Sequence, residues 1–474
     1  MKHSESYTDG FFAVSGQHGF LPVQDPLPVL PEKYADLQKV LDAMPVVLPD
    51  GQPGLLHTEG AILQAVDRLG DHFDAVQAET EIAVQQALFR SYGFLTSAYL
   101  LEPSFQQFRK DGTYGKARRH LPAHIARPFC EVSDRLGVFP WLDYHYAYSL
   151  GNYRRINPRG ELDWENLTMC NRFSGQADEV GFIMLHVDIN RFSAPLVGSI
   201  LGTLDAASKG NIPWHPFLEA NLNAMKKVNA RRKEMWKASR WQHYNDFRVF
   251  IMGVKGNHEI FGDGVFYEGV WDEPKAFRGQ TGAQDDIIPM QDIFTGLVRH
   301  YPENDLTRYL LDLRLYRPLC VRQFLDDLSE TMAGLHPKGL PGWLKDQKDA
   351  DSLGFLLGIL EEIYHFRNGH WQFVQKYIMS NTRYSQATGG TPITSWIPNQ
   401  LSAVLNQMAE VIDFSEQVGP CRLESTQLLT ERNRNLLDTK KKLLEGQLAL
   451  LHRGDFTPDS VYALNQEFGY ADTE

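Results

Sequence analysis

Along most of the chain the apolar positions recur every three or four residues rather than alternating. Ile62, Val66, Leu69, Phe73 and Val76 fall on one face of a helix. A second helical segment is expected from Glu79 to Leu101. Farther on, VGFIMLHVDI (180–189), FRVFIMGV (247–254), LGFLLGILEEIYHF (353–366) and HWQFVQKYIM (370–379) read as buried helices. Short strands fit GVFYEGVW (264–271), and nothing resembles a βαβ series, so the expected class is all-α.

Punctuation divides this pattern into three parts. Pro22, Pro26, Pro28, Pro31, Pro45, Pro49 and Pro53 mark an extended arm before the first helices. The run HLPAHIARPFC (120–130), with two prolines, reads as a junction. The expected division is therefore a Pro-rich arm with a small helical domain over 1–127, a large domain over 128–415 and a helical extension over 416–474. In the extension Leu429, Leu436, Leu443 and Leu450 recur by sevens. That spacing fits a helix lying on its own body or on a second copy of the chain, which leaves a homo-oligomer open.

Composition excludes more than it selects. Hydrophobic residues make up 43% and charged residues 22% of the 474, an ordinary globular balance. The net charge of −12 argues against nucleic acid or an anionic membrane surface as a partner. No run approaches the roughly 18 apolar residues that span a bilayer. The start, MKHSESYTDGFF, lacks the basic and apolar regions of a secretory signal. Cys130, Cys170, Cys320 and Cys421 are isolated, which fits a reducing compartment and offers no CxxC metal or redox motif. The expectation is a soluble, cytoplasmic protein.

Three residues carry unusual chemistry for their positions. His370 shares a helical face with Phe373, Val374 and Tyr377, and His186 shares one with Phe182, Leu185 and Ile189. A histidine centred on an apolar face must find a partner for its ring nitrogens. A carbonyl or carboxylate serves in the ordinary case; a haem held between helices by one axial histidine is the alternative. Arg248 lies on a face with Tyr244, Ile251 and Met252, where a guanidinium requires a carboxylate, internal or from a ligand. GQTGA (279–283) and ATGGT (387–391) are small-residue segments able to bring backbone donors to a ligand, although turns use the same residues.

Taken in order, these segments resemble the indoleamine 2,3-dioxygenase family. The longest stretch is FIMGVKGNHEIFGDGVFYEGVWDEPKAFRGQTGAQ (250–284), followed by HWQFVQKYI (370–378), ATGGT and RPFCEVSDRLG (127–137). Similarity runs from about residue 60 to residue 400. The resemblance implies a small and a large helical domain, with non-covalent haem b in the large one. It makes His370 the axial ligand to iron, with Arg367, Gly279 and Thr281 beside the cofactor. Arg248 would pair with the carboxylate of an amino-acid-like aromatic substrate. Thr388 and Gly389 would order over its ammonium group, and Phe182, Phe247 and Gly282 would line its ring. The implied reaction adds both atoms of O2 across the indole C2–C3 bond of tryptophan or a close derivative, giving N-formylkynurenine.

Three positions depart from the animal pattern. His186 stands where a small hydroxyl residue is usual, His145 where an aromatic residue is usual and His243 where a phenylalanine is usual. His186 would contact the indole N–H or O2 and counts with Arg248 as catalytic; His145 and His243 would make the substrate pocket more polar. Two rival readings keep the scaffold: a haem monooxygenase or peroxygenase of another aromatic amino acid, and a non-enzymatic haem sensor.

Overall fold

The computed structural model describes residues 7–210, 213–301, 303, 305–379, 388, 393–453 and 457–468. Eight helices carry the architecture: α1 (Ile82–Asp111), α2 (Ala123–Leu136), α3 (Ala177–Asn190), α4 (Ser193–Lys209), α5 (His215–Arg232), α6 (Ala350–Phe373), α7 (Ile393–Val418) and α8 (Glu424–Arg453). Among the described residues the strands form two small ladders, beside a few isolated bridges such as Val265–Lys275. His120–Leu121 runs parallel to Phe266–Tyr267, and Tyr153–Arg155 runs antiparallel to Leu167–Met169. The all-α expectation holds. No helix among the described residues is long and apolar enough to cross a membrane.

Local chemistry sets the helix ends. α1 stops at Gly112, whose φ of 78° lets its N–H reach the Phe108 carbonyl. It is buried on all sides over most of its length, which is why its pattern lacks a polar face. α6 opens on Asp349, whose carboxylate accepts from the Ser352 N–H at 3.0 Å. It lies against α5, α7 and α8, so the run from Leu353 to Leu360 is buried all round. At its end α6 passes into a π-helical turn, Val374–Met379.

Several expected elements differ in detail. The segment from Ile62 to Val76 forms two short helices, Ala61–Asp67 and Phe73–Gln77, rather than one. The arm is not wholly extended: it contains the helix Ala35–Ala43 and places Tyr7, Phe11 and Phe12 in the core. α2 runs continuously from Ala123 to Leu136, with Pro128 inside it, across the expected boundary at 127. FRVFIMGV is not one helix; it spans the end of the short helix Asn245–Arg248, a 3-10 turn Val249–Ile251, and extended backbone at Met252.

The extension packs on its own body. α8 buries Leu429, Leu437, Leu443 and Leu444 and contacts α6 and α7. Lys440 of α8 is fully buried, 3.4 Å from the Glu361 carboxylate of α6. Arg432 and His365 also reach Glu361. Burial by itself raises the Glu361 carboxyl, but the His365 contact and the Lys440 and Arg432 charges outweigh it and hold the group at about 2. A depressed carboxylate stabilises the fold above its unfolded value, and that contribution disappears as pH falls toward 2. The dock of α8 on α6 is therefore expected to loosen between about pH 4.3 and 2. In Glu361→Gln this acid-dependent component is absent, and stability at neutral pH falls by about 3–5 kcal/mol because Lys440 loses its buried partner. Denaturant unfolding across pH measures both effects.

Candidate active site

α3, α6 and the loop after Gly279 converge on one deep cavity. Its empty volume, counting the open mouth, is about 1770 Å3. Phe182, Tyr244, Phe366, Phe373 and Tyr377 give it aromatic walls.

His370 stands in the last turn of α6 and faces this space. Its side chain is exposed and lines the cavity. Its ring makes no hydrogen bond to another described residue. Burial, then the positive charge of Arg232 and the influence of His186, lower its pKa to about 4, so the ring is neutral at ordinary pH. Phe373, Val374 and Tyr377, at offsets of three, four and seven, share the cavity wall with it as the spacing predicts.

One turn upstream, Arg367 also lines the cavity. One amino group donates to Asp292 at 2.6 Å and to the Tyr301 hydroxyl at 2.9 Å. Its Nε and Nη1 are buried with no hydrogen-bond partner among the described residues. Unsatisfied charged donors on a cavity wall are costly in the empty protein and favour an anionic group of a bound molecule.

His186 reaches the same cavity from α3. Its Nδ1 lies 2.9 Å from the Phe182 carbonyl. A carbonyl only accepts, so Nδ1 carries the proton and Nε2 presents a lone pair. Burial lowers the His186 pKa against the opposing charge of Asp285. Gly282 leaves room beside it: a β-carbon there would meet His186 Nε2 at 3.9 Å and nothing nearer.

The loop wall depends on a backbone contact. A β-carbon on Gly279 would overlap the Gly253 nitrogen, and one on Gly253 would overlap Gly279. The Gly253 N–H also donates to the Thr388 carbonyl at 3.0 Å, and the Thr388 hydroxyl donates to the Gln280 carbonyl at 2.8 Å. Gly279 is therefore a packing position behind the wall, whereas Thr281, Gly282 and Thr388 lie on it. Gly389 lies outside the described residues. Gly279→Ala is expected to cost about 1–3 kcal/mol or more by overpacking, read as a lower denaturation midpoint.

Four expected pocket residues sit elsewhere. His145 is fully buried and bonds Asp286 Oδ2 at 2.7 Å, and Asp286 also holds Arg317. His243 pairs with Asp246 at 3.1 Å near the surface. One residue along a helical turn rotates the side chain about 100°, and Tyr244, next in sequence, is the one on the wall. Phe247 is buried behind Phe182, ring centroids 5.7 Å apart. Arg248 is fully buried behind the wall, donating to the Tyr114 hydroxyl at 3.1 Å and hydrogen-bonded to Tyr244.

Asp285, Tyr144 and Arg317 were not singled out by sequence pattern. Asp285 and Arg317 line the cavity, and Asp285 accepts from Tyr144 and from Asn190. Burial, then the charge of Asp286, raises the Asp285 pKa. A QDD tripeptide after a small-residue loop reads as a solvated turn, so only tertiary packing shows its place.

A helical body enclosing a deep, aromatic-walled pocket with two neutral imidazoles is the architecture of an α-helical enzyme rather than of a surface-binding module. The family model for indoleamine 2,3-dioxygenase matches residues 9–414, and the chain belongs to that family. It is similar to indoleamine 2,3-dioxygenase 1 of Rattus norvegicus, 28% identical over 251 residues, which span 52% of this chain and 58% of that protein. Indoleamine 2,3-dioxygenase of Saccharomyces cerevisiae is 26% identical over 401 residues, 80% and 82% of the two chains. A 6-hydroxytryptophan 2,3-dioxygenase of Fusarium equiseti is 25% identical over 381 residues, 78% and 84%. The chain is thus a dioxygenase, an oxidoreductase of a haem-dependent family.

Proposed function

We propose that this chain binds haem b and adds both atoms of O2 across the indole C2–C3 bond of tryptophan or a close derivative, giving N-formylkynurenine. The observation that carries the reading is His370: a neutral imidazole facing a large aromatic cavity, without a hydrogen bond to another described residue. Such a nitrogen would be able to hold a haem iron.

The donor set fits the cofactor. His370 would hold the iron and the aromatic walls would cover the macrocycle. The two orphaned donors of Arg367 suit a carboxylate at its rim. When bound, ferrous haem would supply the oxygen chemistry. The chain's own residues orient the substrate and exclude water. Phe182 and Tyr244 pack on the indole, and Thr388, with Gly389, orders over the ammonium group. Arg248 supplies positive charge behind Tyr244 for the carboxylate. Nε2 of His186, an acceptor by its tautomer, takes the indole N–H.

One relative is named for a 6-hydroxytryptophan substrate, which supports keeping a close derivative of tryptophan within the proposal. Incubating the reduced, haem-loaded protein with L-tryptophan under O2 tests the reading. Steady formation of N-formylkynurenine is expected; a product one oxygen atom heavier than tryptophan would favour monooxygenation on the same scaffold.

A further inference from the structure

The part of the cavity wall near His186 and Asp285 is more polar than an indole requires. Asp285 keeps part of its surface on the cavity although protein encloses it. Its carboxylate is fixed: Oδ2 accepts from the Tyr144 hydroxyl at 2.9 Å and from Asn190 Nδ2 at 2.6 Å. Oδ1 accepts from the Ile287 N–H at 2.9 Å. Three donors converge on the carboxyl, so it presents acceptor oxygens, and Oδ1 retains capacity for one more donor. Asn190 also donates to the His186 carbonyl at 3.0 Å, and the Tyr144 ring stands edge-on to the His186 ring with centroids 5.7 Å apart. Asp285 and His186 thus belong to one rigid assembly. Beside His186, Gly282 contributes no side chain, leaving His186 Nε2 at 3.9 Å from where a β-carbon would stand.

We infer that Asp285 and His186 form a two-acceptor subsite that selects an indole-type amino acid bearing a hydroxyl on its benzene ring. The inference rests on the function proposed above. His186 Nε2 takes the indole N–H, and the Asp285 carboxylate takes the phenolic O–H. An unsubstituted ring turns a C–H edge toward a buried carboxylate that has given up water, leaving an acceptor unsatisfied. A site built to receive a hydroxyl discriminates strongly against the analogue that lacks it, whereas a purely apolar pocket does not. Asp285 is accordingly a specificity-determining residue.

The test uses the haem-loaded full chain with L-tryptophan and its 4-, 5-, 6- and 7-hydroxy derivatives. Anaerobic calorimetric titration gives Kd, and turnover under O2 gives kcat/KM. At least one hydroxy isomer is expected to bind and turn over roughly tenfold to a hundredfold better than tryptophan. Asp285→Ser is expected to remove that preference, read as the ratio of kcat/KM for the hydroxy isomer to that for tryptophan within the variant itself. Tryptophan dioxygenated as well as or better than every isomer by the native protein overturns this inference and leaves the proposed function standing. A preference that persists in Asp285→Ser overturns the assignment to Asp285. If no indole amino acid gains two oxygen atoms, the proposed function itself fails. The comparison in the native protein decides the inference even if the variant does not fold.

Discussion

His370→Ala is expected to yield a folded protein that no longer gives the spectrum of histidine-ligated ferrous haem. The physical ground is the environment of the ring. His370 sits in the last turn of α6, faces the cavity, and is held neutral by burial down to about pH 4. It makes no hydrogen bond to another described residue, so its loss removes no internal bond that the fold needs. Alanine is also a better helix former than histidine. The expected separation is therefore clear: near-native helicity and stability, with haem affinity or ligation lost. Visible spectroscopy of the reduced protein, beside far-ultraviolet circular dichroism, reads both. An unchanged ferrous spectrum would remove His370 as the axial ligand.

Arg248→Ala is expected to raise KM for an amino-acid substrate far more than it lowers kcat. Truncating one partner of a buried charge pair costs about 2–5 kcal/mol, or roughly thirtyfold to several thousandfold in affinity. The structure makes this prediction sharper than the sequence did. Arg248 stands behind Tyr244 and bonds both Tyr244 and Tyr114, so it also holds an aromatic wall in place. Tryptamine, which lacks the carboxylate, separates the two roles. A large loss for tryptophan with little loss for tryptamine identifies carboxylate recognition. Equal losses for both identify Arg248 as a positioning residue for Tyr244.

How far the site was legible depended on whether its cause was local. His370 was visible because offsets of three, four and seven put Phe373, Val374 and Tyr377 beside it, and all four line the cavity. His186 and Phe182 were visible for the same reason. The all-helical class followed from periodicity alone. FRVFIMGV reads as one helix because, Arg248 and Gly253 apart, its positions are all apolar and carry little phase; its path is set by Gly253 meeting the backbone of Gly279, 26 residues later. His145 looked like a pocket residue, but its partner Asp286 lies 141 positions away and draws it into the core. His243 failed by a single step of helical phase, which turned it outward and left Tyr244 inside. Asp285 gave no local signal, since only the packing of α3 on the 279–286 loop places its carboxylate against the cavity.

The extension gave a clearer signal than its function. Of its heptad leucines Leu429 and Leu443 are buried where α8 packs against α6 and α7, and the Glu361–Lys440 pair ties it to the helix that bears Arg367 and His370. The family match ends at residue 414, so this brace lies beyond the matched region.

The central claim is that this cavity adds both atoms of one O2 molecule to an indole amino acid. Turnover of tryptophan and its hydroxy derivatives by the reduced, haem-loaded protein under 18O2, read by mass spectrometry, tests it most directly. A ring-opened product carrying two labelled oxygen atoms is expected; a product carrying only one, with the second oxygen reduced to water, rules the proposed reaction out.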